Sequence, residues 1–121
     1  MSTYDLISVT NGLDSLFQIQ DPDGQLHWAG IPFSLMPGFP FSFTYHLHTL
    51  NAVYDYYQWT GDLDFVAKHW DGWKLAMRWS LGNIDDSGLM NVTSSADWLR
   101  FGMGGYNVEV RTSPKFAVRL V

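Results

Sequence analysis

The 121-residue sequence has no cysteine, which excludes a disulfide framework, a thiolate nucleophile and a cysteine zinc site. It is short of positive charge: seven Lys and Arg stand against 12 Asp and Glu, for a net charge of −5. That balance argues against a nucleic-acid partner, which needs a clustered basic face. It also lacks any run near the roughly 20 apolar residues of a membrane helix, because Pro, Gly or charge interrupts each stretch. The first residues, Met1 to Asp5, carry neither the basic region nor the apolar core of a secretory signal, and the compartment stays open.

What the chain has in plenty is rings. Six Trp, six Tyr and eight Phe make up 17% of it, within a 46% hydrophobic, 16% charged composition that is globular rather than disordered. Rings at this density build a core or line a groove, and composition does not separate the two.

Periodicity predicts mostly helix. Leu6, Val9, Leu13 and Leu16 form a stripe over 5–19, with Asp5 as cap and Gly12 as a weak point. Asp21-Pro22-Asp23-Gly24 reads as a turn. Residues 25–43 read as a long aromatic loop that either packs over the end of a helical layer or walls a ligand site. A second helix is expected from a Thr44 cap to about Trp59, with Leu47, Leu50, Tyr54 and Tyr57 on its stripe. Thr60-Gly61-Asp62 joins it to a third over 63–84, striped by Val66, Trp70, Trp73, Met77, Leu81 and Ile84, with a break or kink at Asp71-Gly72. So short a connection makes the pair an antiparallel αα-hairpin. A turn at 85–88, a short extended piece at 89–92 and a last helix starting near 106–109 complete an all-α layout.

Chemistry is sparser. Asp97 and Glu109 are the carboxylates best placed for an acid–base pair, since rings and glycines around them favour a raised pKa; from spacing alone, capping and first-turn roles are the favoured explanation. His46 and His48 point to different sides of one helix, and His27 and His69 have no ligand partner nearby in sequence, so no metal site is expected. Gly102-Met103-Gly104-Gly105 lacks the strand context and lysine of a phosphate cradle, and no Gly-x-Ser-x-Gly elbow exists. Asn91-Val92-Thr93 is an N-glycosylation sequon, a triplet that arises often by chance and by itself implies nothing without a secretory signal.

Several strings, in order, resemble one family: Asp5-Leu6-Ile7-Ser8-Val9, Ala29-Gly30-Ile31-Pro32-Phe33, Thr44-Tyr45-His46, Tyr54-Asp55-Tyr56-Tyr57 with Thr60-Gly61-Asp62, Asp86 to Thr93, Ala96-Asp97-Trp98, and Gly104 to Glu109. The set is similar to the six-hairpin glycosidases, most closely to fungal proteins like the α-L-rhamnosidases of glycoside hydrolase family 78. The resemblance implies antiparallel helical hairpins forming a partial arc of an (α/α)6 barrel over residues 1–110, followed by a divergent end at 111–121. It implies an internal fragment of a carbohydrate-processing catalytic domain, inactive alone, with no cofactor. The alternatives are a non-catalytic carbohydrate-binding module and a helical interaction module.

In that family an inverting acid and base flank a water, roughly 6.5–9.5 Å apart. The acid comes from upstream of the matched region and the base from far downstream, so the resemblance assigns neither role to this chain. It carries over a sugar-facing wall: Asp97 and Trp98 first, with Glu109, Tyr45 and His46 as further members. Trp98 either stacks on a pyranose or plugs the barrel end. Tyr106 stands where the family commonly has His. Helix faces of an open arc stay uncovered, and Trp70, Trp73 and Met77 are expected on such a face.

Overall fold

The structure, a computed structural model, describes residues 5–28, 30, 31, 35, 41–93, 96, 97, 100, 101 and 104–107. Three helices dominate it: α1 (Leu6–Gln18), α2 (Phe43–Thr60) and α3 (Leu63–Gly82). Four short strands follow: β1 (Met90–Val92), β2 (Ala96–Asp97), β3 (Arg100–Phe101) and β4 (Gly105–Asn107). β1 pairs antiparallel with β4, and β2 with β3, as two separate two-stranded ribbons. The fold is mostly helical.

Each helix starts where a side-chain oxygen satisfies an orphan amide. Asp5 accepts from the Ser8 N–H at 3.0 Å, and Asp62 accepts from the Phe65 N–H at 3.0 Å. At α2 the cap is Ser42, accepting from the Tyr45 N–H at 3.3 Å, rather than Thr44. Two hydroxyl residues lie within one turn, and the helix begins early enough to bury Phe43. Gly61 takes φ 67° and closes α2, its N–H donating to the Tyr57 carbonyl at 2.8 Å. The Tyr56 hydroxyl donates to Asp62 at 2.9 Å across this turn.

Contacts between α2 and α3 run in opposite senses. Phe43 meets Trp79, Leu50 accepts from Trp73, and Tyr56 meets Phe65, which makes the hairpin antiparallel. Contacts between α1 and α3 rise together: Asp14 meets Lys68 and His69, and Gln20 meets Gly72. The two helices therefore point the same way, and α1 is antiparallel to α2. The core lies between the three helices and the segments that follow α1 and α3; Leu13, Leu26, Leu47, Leu50, Trp73, Ala76 and Met90 are buried in it.

The third helix runs unbroken through Asp71-Gly72. Gly72 serves packing rather than kinking. A Cβ there would sit 2.7 Å from the Gln20 side-chain oxygen and 3.0 Å from the Phe17 ring. The Gln20 amide donates to the Gly72 carbonyl at 2.9 Å and the Gly24 carbonyl at 3.0 Å, strapping the turn after α1 onto α3. Gly24, at φ 108°, lies so close that its Cβ would meet the Leu75 carbonyl oxygen at 2.6 Å.

The buried face of α3 is Phe65, His69, Trp73, Ala76, Met77 and Ser80, one step round from the expected stripe. Trp73 and Met77 are thus core and not part of an uncovered face, whereas Leu81 is exposed. Residues 105–107 form β4 instead of starting a helix, with Gly105 at φ 94° and Tyr106 opposite Asn91. The partner strand supplies a ladder that local pattern does not reveal.

Candidate functional site

The two ends of the hairpin differ. One is sealed by the two-residue turn at 61–62. At the other, the segment after α1, the first turns of α2, the last turns of α3 and the segment leading into β1 come together. Leu26 donates its N–H to His46 Nδ1 at 3.0 Å, and His46 Nε2 lies 2.9 Å from Ser80 Oγ. Trp28 meets Tyr45 edge-on at 6.0 Å, and Phe41 packs on Trp79 at 4.9 Å. Beyond α3, Ile84 bridges to Met90, and the Asn91 N–H donates to the Asn83 carbonyl at 3.0 Å. Trp28 and Phe41, described rings of the aromatic segment, thus pack against this helix end.

Of the five residues expected on a sugar wall, Tyr45 is half-buried at this end, beside Trp28. His46 is fully buried, with both ring nitrogens engaged by the protein. Asp97 lies on β2, in register with Arg100 of β3. Trp98 and Glu109 lie outside the described residues. The structure therefore brings Tyr45 and His46 to one end and gives them different surroundings.

The Ser80–His46 contact has the spacing of a nucleophile and its base, but not the proton arrangement. The Leu26 N–H occupies Nδ1 as acceptor, so the neutral ring carries its proton on Nε2 and donates toward Ser80 Oγ and the Ala76 carbonyl, 3.2 Å away. Ser80 donates in turn to the Ala76 carbonyl at 3.0 Å. A base that holds a proton toward its serine cannot take one from it. Burial pushes the His46 pKa down to about 4, which keeps the ring neutral. The pair is a structural latch.

Two polar pairs escaped the sequence reading. His69 Nε2 contacts the Asp14 carboxylate, which also takes Lys68 at 3.0 Å. Partial burial works against ionisation of Asp14, but Lys68 and His69 outweigh it and hold the carboxyl below its usual range. His27 Nε2 lies 3.3 Å from Asp21. Their partners sit 55 and six residues away, and no fixed spacing announces either. Among the described residues, no three His, Cys, Asp or Glu side chains cluster as a metal site would require. No helix among them is long and apolar enough to cross a membrane.

Comparison with protein-family models and with curated proteins finds no match to this chain.

A groove runs between α2 and α3 on the side away from α1, lined by Val53, Tyr54, Tyr57, Leu63, Val66, Trp70 and Trp73. The Trp70 and Trp73 rings stack at 5.3 Å and 9°, and the Lys74 ammonium lies 5.7 Å from the Trp70 centroid. Its cavity of about 210 Å³ is smaller than the roughly 300–1,000 Å³ of most ligand pockets. It suits side chains from a packed helix better than a bound metabolite. Val66, Trp70 and Trp73 of its lining belong to the stripe read from the sequence, and Trp70 is among the residues expected on an uncovered face.

Proposed function

We propose that this chain supplies helical hairpins to a carbohydrate-processing domain of the six-hairpin glycosidase type, as part of an (α/α)6 arc. It walls a sugar site at the open end of the hairpin and contributes no catalytic acid or base. The observation that supports this reading is the asymmetry of the two ends. The described parts of the connections after α1 and α3, with Trp28 and Phe41 among their rings, gather at one end, while a two-residue turn closes the other. Sugar sites call for rings that stack on C–H faces and for acceptors that orient hydroxyls. Tyr45 and Trp28 are the described groups at that end, joined in this proposal by Asp97 of β2 with its sequence neighbour Trp98.

Two measurements test it. The purified chain is expected to leave aryl α-L-rhamnosides unhydrolysed above background. L-rhamnose or its methyl glycoside is expected to bind in the millimolar range, shifting resonances of Trp28 and Tyr45, and binding is expected to weaken in Trp98→Ala. Turnover abolished by Asp97→Asn or Glu109→Gln would relocate the catalytic pair into this chain. The absence of any sugar-dependent shift would remove the sugar wall.

The α2–α3 groove favours a second reading, a helical interaction module, with a second copy of the chain as the occupant. Leu6, Ile7 and Val9 of α1 are exposed and offer apolar side chains to such a groove. A head-to-tail contact of this kind is not closed by symmetry. Sedimentation is expected to show mass rising with concentration in the micromolar range, and Leu63→Lys, at a 65% exposed position on the groove rim, is expected to suppress it. A concentration-independent monomer refutes the second reading and leaves the first intact.

A further inference from the structure

The carbohydrate reading leaves one motif unused: Asn91-Val92-Thr93, the single Asn-x-Ser/Thr sequon in the sequence. The structure gives it the required orientation. In β1, Met90 and Val92 are buried while Asn91 is exposed, and Thr93 beyond the strand is exposed too, so acceptor and hydroxyl residue face solvent together. The Asn91 side-chain amide makes no hydrogen bond among the described residues.

A second observation concerns what lies beside it. Asn91 stands directly across from Tyr106 of β4. Its backbone N–H points the other way, to the Asn83 carbonyl, which makes 91–106 a non-hydrogen-bonded pair. Side chains approach most closely in such pairs, with Cα atoms about 4.5 Å apart. Tyr106 is 57% exposed. Asp85 beside its hydroxyl raises the phenol pKa. An exposed ring thus stands across from a solvent-facing acceptor amide.

We propose that Asn91 is an N-glycosylation site and that the first N-acetylglucosamine of its glycan stacks on Tyr106. The donor is a lipid-diphosphate-linked oligosaccharide. Asn91 Nδ2 forms a bond to the anomeric carbon as the carbon–oxygen bond to the diphosphate breaks. The electron pair leaves with the lipid diphosphate, and one amide proton passes to a base of the transferase. Thr93 supplies the hydroxyl that makes the asparagine recognisable. The ring then covers the sugar's C–H face.

The full 121-residue chain, expressed behind a cleavable secretion leader in yeast, tests both parts. Secreted and membrane-retained protein are analysed together by glycopeptide mass spectrometry, so that poor secretion does not hide the result. One endoglycosidase-sensitive glycan at Asn91 is expected, lost in Asn91→Gln and in Thr93→Ala and kept in Thr93→Ser. After trimming to a single sugar, the N-acetyl methyl protons are expected to show an upfield ring-current shift that disappears in Tyr106→Ala and persists in Tyr106→Phe. An unmodified Asn91 overturns the site. A glycan whose N-acetyl resonance is indifferent to Tyr106→Ala overturns the stacking.

Discussion

Trp73→Ala is expected to destabilise the fold by about 3–5 kcal/mol, the usual cost of emptying a large aromatic site in a core. The side chain is 1% exposed, and its indole N–H donates to the Leu50 carbonyl at 3.2 Å, tying α3 to α2 near the middle of the hairpin. It also supports Trp70, whose ring stacks on it at 5.3 Å. Removal takes away the buried area, the interhelix hydrogen bond and the floor of the groove at once. A small domain has only about 5–15 kcal/mol in total, so the variant should lose a large part of its helical signal near body temperature. Urea unfolding followed at 222 nm, at a concentration below self-association, measures it. Trp73→Phe, which retains most of the ring volume, should fall clearly between. A Trp73→Ala penalty under about 1 kcal/mol would mean that the site collapses freely and is not the hairpin's anchor.

Stability is also expected to fall as the solution is acidified from about pH 6.5 to pH 4, well before most carboxylates titrate. His46 accepts the Leu26 N–H on Nδ1, and burial lowers its pKa from an ordinary 6.5 to about 4. Between those values the unfolded chain binds a proton that the folded chain refuses, so acid favours unfolding through this window. Above about pH 6.5 both states are neutral at this position and the contribution is flat; below about pH 4 both are charged and the loss is complete. A separation of that size corresponds to a loss on the order of 3 kcal/mol. The Asp23 carboxylate opposes the effect weakly, favouring the charged ring. Asp14, whose carboxyl is held low, adds a loss of the same sign at lower pH, as its own carboxylate protonates. His46→Asn offers an acceptor to Leu26 and cannot titrate. It should be less stable at neutral pH but flatter between pH 6.5 and 4. Equal slopes in the two proteins would show that His46 is not the acid-sensitive group.

Local chemistry made much of the helical frame readable. Asp5 and Asp62 cap as their positions suggest, Gly61 takes the left-handed stop, and the short connection yields an antiparallel hairpin. Each of those features depends on residues within one turn of each other. What escaped depends on partners distant in sequence. β4 exists because β1 offers it a ladder, and His46 is neutral because distant segments bury it, its tautomer set by the Leu26 amide reaching it from a loop. Period placed an apolar stripe on α3 but could not choose between the Phe65–His69 side and the Val66–Trp70 side. α1 packs against the first, and its Asp14 gives His69 a polar partner that makes burying a histidine tolerable. For the sugar wall, the family resemblance suggested Tyr45 and His46 alike. Depth along the helix surface, which sequence does not carry, separates them.

The strap formed by Gln20 imposes an order on inheritance. A methyl group at position 72 collides with the Gln20 side chain and the Phe17 ring, both of which can be replaced. A methyl at position 24 collides with the Leu75 backbone, which cannot. In any lineage descending from this sequence, alanine should therefore enter at 72 only after residue 20 has shortened. That first step frees the Gly24 and Gly72 carbonyls from their shared amide and loosens the turn. Position 24 should stay glycine throughout, and a descendant that lacks it should have rebuilt the whole passage from α1 to α2.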